Sequence, residues 1–152
     1  MNLLILTESG PGIGYGHLNR CLAFAEKWLE TGQVVLIDRG QPGRMEMPSG
    51  LEVRHLDWIN HFDAVRADYL KANRVLVDSY NWTDDLYQLW RPRGLEIVIL
   101  DDGRAQVWTH GLIINGGIGA ERSSYPTDTD TFKALTGVNW QPLRRVFWTV
   151  PE

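Results

Sequence analysis

Short apolar runs that are continuous, not alternating, recur along this chain, each followed by a block of helical period or a turn-rich connection. NLLILTES from Asn2, QVVLIDR from Gln33, RVLVDSY from Arg74, EIVILDD from Glu96 and GLIING from Gly111 are such runs, and LEVRHLD from Leu51 reads as a further strand, third in chain order. Continuous apolar runs of this length suit strands covered on both faces. Between them, Leu18, Cys21, Leu22, Ala25 and Leu29 recur at helical spacing, predicting an amphipathic helix from His17 to about Thr31 that Gly32 can end. Further helices are expected around His61 to Ala72 and from Thr83 to Trp90, where Thr83 can cap and Asp84 and Asp85 suit the positive end of the dipole. A Gly/Pro-bearing loop spans Gly40 to Gly50. Strand-helix alternation with right-handed crossovers gives an α/β fold, a Rossmann-like, doubly wound parallel sheet. At 152 residues the chain is about one domain. The stretch after Gly119 lacks clear periodicity and is expected to leave the domain without a closing helix.

Composition removes several functional classes. A formal charge of -4 with no Lys/Arg cluster argues against a nucleic-acid partner. The first apolar run is too short for a signal or membrane-spanning segment, and Cys21 is the only cysteine, so a cytoplasmic setting without disulfides is expected. Four histidines and one cysteine, with no H-E-x-x-H or C-x-x-C spacing, predict no metal site, and no cofactor is required.

In a sheet of this kind ligands lie at the carboxyl ends of the strands. Gly10 to Gly16, Asp78 to Tyr80, Asp101 to Arg104 and Asn115 to Gly119 all follow such ends and are therefore expected along one edge. The first holds glycines at 10, 12, 14 and 16, directly before His17. A dinucleotide fingerprint needs a third glycine where this chain has Tyr15 or His17, depending on register, although Asp38 sits where a ribose-binding acid would. That keeps an NAD-dependent reductase as an alternative. The Walker pattern fails for want of a lysine. What remains is a turn that admits a ligand close to its backbone, at Gly14 and Gly16, and a histidine at a helix start. The positive end of the helix disfavours imidazolium, so His17 is expected to accept a proton as a general base, or else to act only as a cap or polar contact.

Arg20, one turn later, can hold an anionic or polar ligand group or pair with a carboxylate. Asp78 and Tyr80 can orient a sugar or the histidine, unless Asp78 caps the following helix. Of Asp101 and Asp102, which point in opposite directions on a strand, at most one faces the cleft, and Asp101 reads as structural. Asn115 can bind a sugar or acetamido group, or close the Gly116-Gly117 turn. Trp82 and Trp108, near strand-end loops, are candidates for stacking on a sugar ring.

GYGHLNRCLAFAEKW resembles the G-x-G-H-x-x-R-C-x-x-L-A motif of the pseudaminic acid pathway UDP-sugar hydrolases and the related spore-coat polysaccharide biosynthesis proteins. VLVDSYNW, VILDDGRAQVWTHGLIING and ALTGVNWQPLRRVFW resemble later segments of that family in the same order. Thr109, His110 and Gly111 depart from it, standing where relatives often carry an Asp. The resemblance implies the amino-terminal half of a two-domain GT-B architecture. His17 would be the catalytic base, a UDP-sugar the substrate, and a C-terminal nucleotide-binding domain, in cis or in trans, the holder of UDP. A non-catalytic binding or docking domain is the rival reading.

Overall fold

The computed structural model describes residues 1–41, 43, 45–90, 95–103, 110–123, 125–126 and 128–148. Seven strands form one sheet: β1 (Asn2–Thr7), β2 (Gln33–Asp38), β3 (Glu52–His55), β4 (Arg74–Asp78), β5 (Glu96–Leu100), β6 (Gly111–Asn115) and β7 (Phe132–Thr136). Their order is β3-β2-β1-β4-β5-β6-β7, and every pairing is parallel. The sheet is thus Rossmann-like, with the reversal of strand order between β1 and β4. Helices α1 (Gly16–Trp28), α2 (Phe62–Lys71) and α3 (Asp84–Trp90) flank it.

Successive strand residues point to opposite faces, and the apolar runs therefore feed two cores. Leu3 and Ile5 of β1, Val34 and Leu36 of β2 and Leu76 of β4 pack with Leu18, Cys21, Leu22 and Ala25 of α1. Leu4 and Leu6, Val75 and Val77, and Ile97 and Ile99 face the other way, onto Val65 and Tyr69 of α2 and Tyr87 and Trp90 of α3. The second core is aromatic: Trp90 meets Phe62 edge-on at 4.7 Å and Tyr69 at 5.3 Å, and the Tyr69 hydroxyl donates to the Trp90 carbonyl. Trp58 donates its indole N–H to the Thr7 carbonyl at 2.8 Å, which ties this core to the end of β1.

Three local features differ from expectation. The α1 helix stops at Trp28, and a further turn runs to Gly32, whose amide donates to the Trp28 carbonyl at 3.0 Å. Gly32 is required for space, since a Cβ there would lie 2.2 Å from the Met1 carbonyl oxygen. The segment after Gly119 contains β7, which pairs in parallel with β6 as an edge strand of the sheet. Phe132 and Ala134 of this strand face the aromatic core and Leu135 the other. Trp82, expected near a ligand, is fully buried between Trp58 and Trp90, at 6.1 and 6.3 Å. Trp108, Arg104 and Thr109 lie outside the described residues.

Thr83 caps α3 as expected, its hydroxyl accepting the Leu86 amide at 3.3 Å. Among the described residues no helix is long and apolar enough to cross a membrane. Trp90→Ala should lower unfolding free energy by roughly 3–5 kcal/mol, the scale for emptying a buried aromatic site. Leu70→Ala, at an exposed position of α2, should change it by no more than about 0.5 kcal/mol in the same urea titration.

Candidate active site

The carboxyl ends of β2, β1 and β4 are level. Thr7 pairs with Asp38 on one side and Asp78 on the other, and the Thr7 hydroxyl donates to the Asp78 carbonyl at 3.2 Å. The chain leaves β1 through Glu8 and Ser9 into the glycine turn. Gly10 and Gly14 bond reciprocally, amide to carbonyl, at 3.1 and 2.8 Å. Gly10, Gly12 and Gly14 have φ of 125°, 87° and 88°, a region in which a side chain is strained, so these three glycines make the turn possible. Gly16 has neither a positive φ nor a near neighbour. Around Gly12, Gly14 and Gly16 a Cβ would meet nothing within 4 Å, which leaves the approach to α1 open.

The turn ends at Tyr15, and α1 begins with Gly16 and His17, with no side chain capping its first amides. His17 is only 3% exposed. Its ring lies at the switch point of the sheet, where Nδ1 is 2.5 Å from Oδ1 of the fully buried Asp78. Nδ1 also lies 3.0 Å from Arg20 Nη2, which only donates, but Nη2 has Asp78 Oδ1 as its acceptor at 2.8 Å, and the closer contact of Nδ1 with a carboxylate oxygen requires a hydrogen between them; in the neutral ring Nε2 then holds the lone pair. Nε2 is buried and has no hydrogen-bond partner among the described residues. The Tyr80 ring packs against the imidazole at 4.1 Å and 80°, and its hydroxyl donates to Asp102 at 2.8 Å.

Arg20 closes the constellation. Its Nε donates to Asp78 Oδ2 and its Nη2 to Oδ1, both at 2.8 Å, a bidentate pair. Burial works against the guanidinium charge, but the Asp78 carboxylate outweighs it and holds Arg20 firmly protonated. Of the two roles open to Arg20, the geometry shows pairing with a carboxylate. Asp78 likewise does not cap α3; it bridges β4 to α1.

Other residues of the same edge serve the scaffold. Asn115 is buried, donates to the Tyr125 hydroxyl at 2.9 Å and accepts the Gly117 amide at 3.0 Å, so it closes the turn and its carboxamide is committed within the protein. Asp101 accepts from Tyr125, and burial raises its carboxyl above the ordinary range. Asp102 is exposed and Asp101 half-buried, but both line the same cleft, against the expectation that at most one would. Asp38, the candidate ribose acid, is fully buried, and Oδ2 accepts the Ser9 hydroxyl at 2.5 Å. It therefore does not present its carboxylate to a nucleotide. A cleft of ≈ 80 Å³ runs between Arg20, Asp101, Asp102, Gly116, Gly117 and Gln141.

Glu8 was not singled out in the sequence, yet it organises the site's floor. Fully buried, it accepts the Tyr80 amide and the Asn81 side chain, each at 2.7 Å, and fixes the backbone that carries Tyr80. The available signal was a carboxylate placed directly after a fully buried strand. No protein-family model matches the chain, and no curated protein matches it.

Removing Asp78 leaves Arg20 and His17 without their shared acceptor. Asp78→Ala should cost about 3 kcal/mol in urea unfolding, at the lower end for breaking a buried ion pair because Arg20 is partly exposed. For Asp38, burial pushes the folded carboxyl up, with the Ser9 hydroxyl and His55 opposing. The folded state thus binds this proton more tightly than the unfolded chain does. The associated stability is full below the unfolded Asp value of 3.8, falls as pH rises toward the higher folded value, and is flat above it. Unfolding titrations of wild type and Asp38→Asn across that window should show wild type losing ground to the variant as pH rises.

Proposed function

We propose that this chain is the sugar-facing, base-bearing domain of a cytoplasmic UDP-sugar hydrolase or glycosyltransferase of surface-polysaccharide or nonulosonic acid biosynthesis. It would work with a C-terminal nucleotide-binding domain supplied in cis or in trans. The observation that carries this reading is the His17–Asp78 contact of 2.5 Å at the switch point of the sheet, beside an open glycine turn. It leaves a tautomer whose unengaged nitrogen is the proton acceptor a base mechanism needs.

In the proposed reaction Nε2 removes a proton from water or an acceptor hydroxyl. The oxygen attacks the anomeric carbon, the bond from that carbon to the phosphate oxygen breaks, and UDP leaves with the electron pair. Asp78 holds the Nδ1 proton in place and balances the imidazolium that forms. Arg20 holds Asp78 aimed through its two hydrogen bonds. Gly14 and Gly16 leave room for the sugar above the first turn of α1.

A partner domain would find exposed apolar side chains after β6 and after β7. Ile118, Trp140, Val146, Phe147 and Trp148 are such side chains, four of them in the stretch that follows β7. Ion pairs of Arg144 with Glu26 at 2.7 Å and of Arg145 with Glu30 at 2.9 Å fasten their segment to α1.

The test is UDP release from UDP-sugars by the full enzyme, or by this chain together with its nucleotide-binding domain. His17→Ala should reduce turnover by about a hundredfold or more, the usual scale for a general base. The chain alone should show negligible affinity for UDP by calorimetry. Unchanged turnover, or micromolar UDP binding by the isolated chain, would reject this assignment.

A further inference from the structure

The base and its accessibility are at odds in this structure. Nε2 must touch the nucleophile to remove its proton, yet it is buried and the whole residue is 3% exposed. Some neighbour has to move. Asp78 is fully buried and held by both His17 and Arg20, and its strand lies inside the sheet. Arg20 is tied to Asp78 by two hydrogen bonds from the helix that carries His17 itself.

Tyr80 differs from both. Its side chain reaches solvent, its ring stands on the imidazole, and its hydroxyl is held by Asp102, an exposed residue from the end of a different strand. Its backbone is pinned independently, through the Glu8 carboxylate. Rotation of the ring about the side-chain torsions therefore requires no displacement of β4 or of α1.

We propose that Tyr80 is a gate over the His17 base and that Asp102 is its latch: the described arrangement is the closed state, and release of the hydroxyl from Asp102 lets the ring swing out and bares Nε2. The inference rests on the reading of His17 as the base, and it makes Tyr80 a positioning residue that controls when the base can meet its nucleophile. A closed gate keeps bulk water off Nε2 until a ligand lies in the cleft, which suits a site that has to choose the oxygen it activates.

Diethyl pyrocarbonate, which acylates the unprotonated imidazole nitrogen, reads the gate directly when coupled to peptide mapping of the intact chain. His61, exposed on the surface, provides the internal reference. In wild type His17 should react much more slowly than His61, and in Tyr80→Ala the two rates should approach each other. Tyr80→Phe keeps the ring but loses the latch, as does Asp102→Ala. Each should speed His17 modification roughly three- to tenfold, the equilibrium scale of one hydrogen bond, and the double variant should gain nothing further. The rates at His55 and His61 should stay at wild-type values, which separates gate opening from loss of the fold. A wild-type His17 rate equal to that of His61 would overturn the proposal, as would a His17 rate unmoved by Tyr80→Phe and Asp102→Ala. The measurement uses no sugar nucleotide, so a His17 reactivity unmoved by the latch variants overturns the gate alone, whereas unchanged turnover in His17→Ala overturns the reading on which it rests.

Discussion

The Asp78 carboxylate is the interaction on which the arrangement depends. It sits at the end of β4, where the order of the sheet reverses, and its two oxygens accept from His17 and Arg20 of the helix that follows β1. One buried anion thus joins a strand, a helix and a turn that are distant in sequence. A carboxylate in such a place is tolerable only with full compensation. Arg20 supplies the charge and His17 a further donor, so the same bonds that make burial affordable also set the imidazole's tautomer.

The carboxyl edge repeats this pattern with variations. Glu8, Asp38 and Asp78 are all fully buried there, each by a different device. Glu8 takes a backbone amide and an asparagine, with Arg39 at 3.8 Å; Asp38 takes a serine hydroxyl; Asp78 takes the bidentate arginine. Only the last has a titratable base in contact with it at hydrogen-bond distance, which is why chemistry is assigned to the β1-β4 junction and not to the neighbouring β1-β2 junction.

Much of this was legible from residue order. Continuous apolar runs specify strands buried on both sides, and five of the seven strands announce themselves that way, while the largely exposed β3 was read from the mixed stretch LEVRHLD. β7 did not, because an edge strand in which Lys133 is exposed and Phe132 alone is fully buried carries little periodic signal, and its pairing to β6 is decided by the sheet. The glycine turn, His17, Arg20, Asp78 and Tyr80 were legible as candidates because each follows a strand end. Their partners were not. Whether Arg20 meets a ligand or a carboxylate, or Asn115 a sugar or its own turn, depends on distances that spacing does not encode. The burial of Trp82 and Asp38 was hidden for the same reason: both stand near strand ends, and only the packing of Trp58 and Ser9 turns them inward.

The large apolar residues between Val138 and Trp148 stand exposed to water. Their segment is tied to α1 by arginine-glutamate pairs, contacts that dissolved ions screen, whereas sulfate-type salts raise the cost of exposed hydrocarbon. The hold of this segment on α1 therefore weakens with ionic strength, while the cost of its exposed hydrocarbon depends on which salt is present.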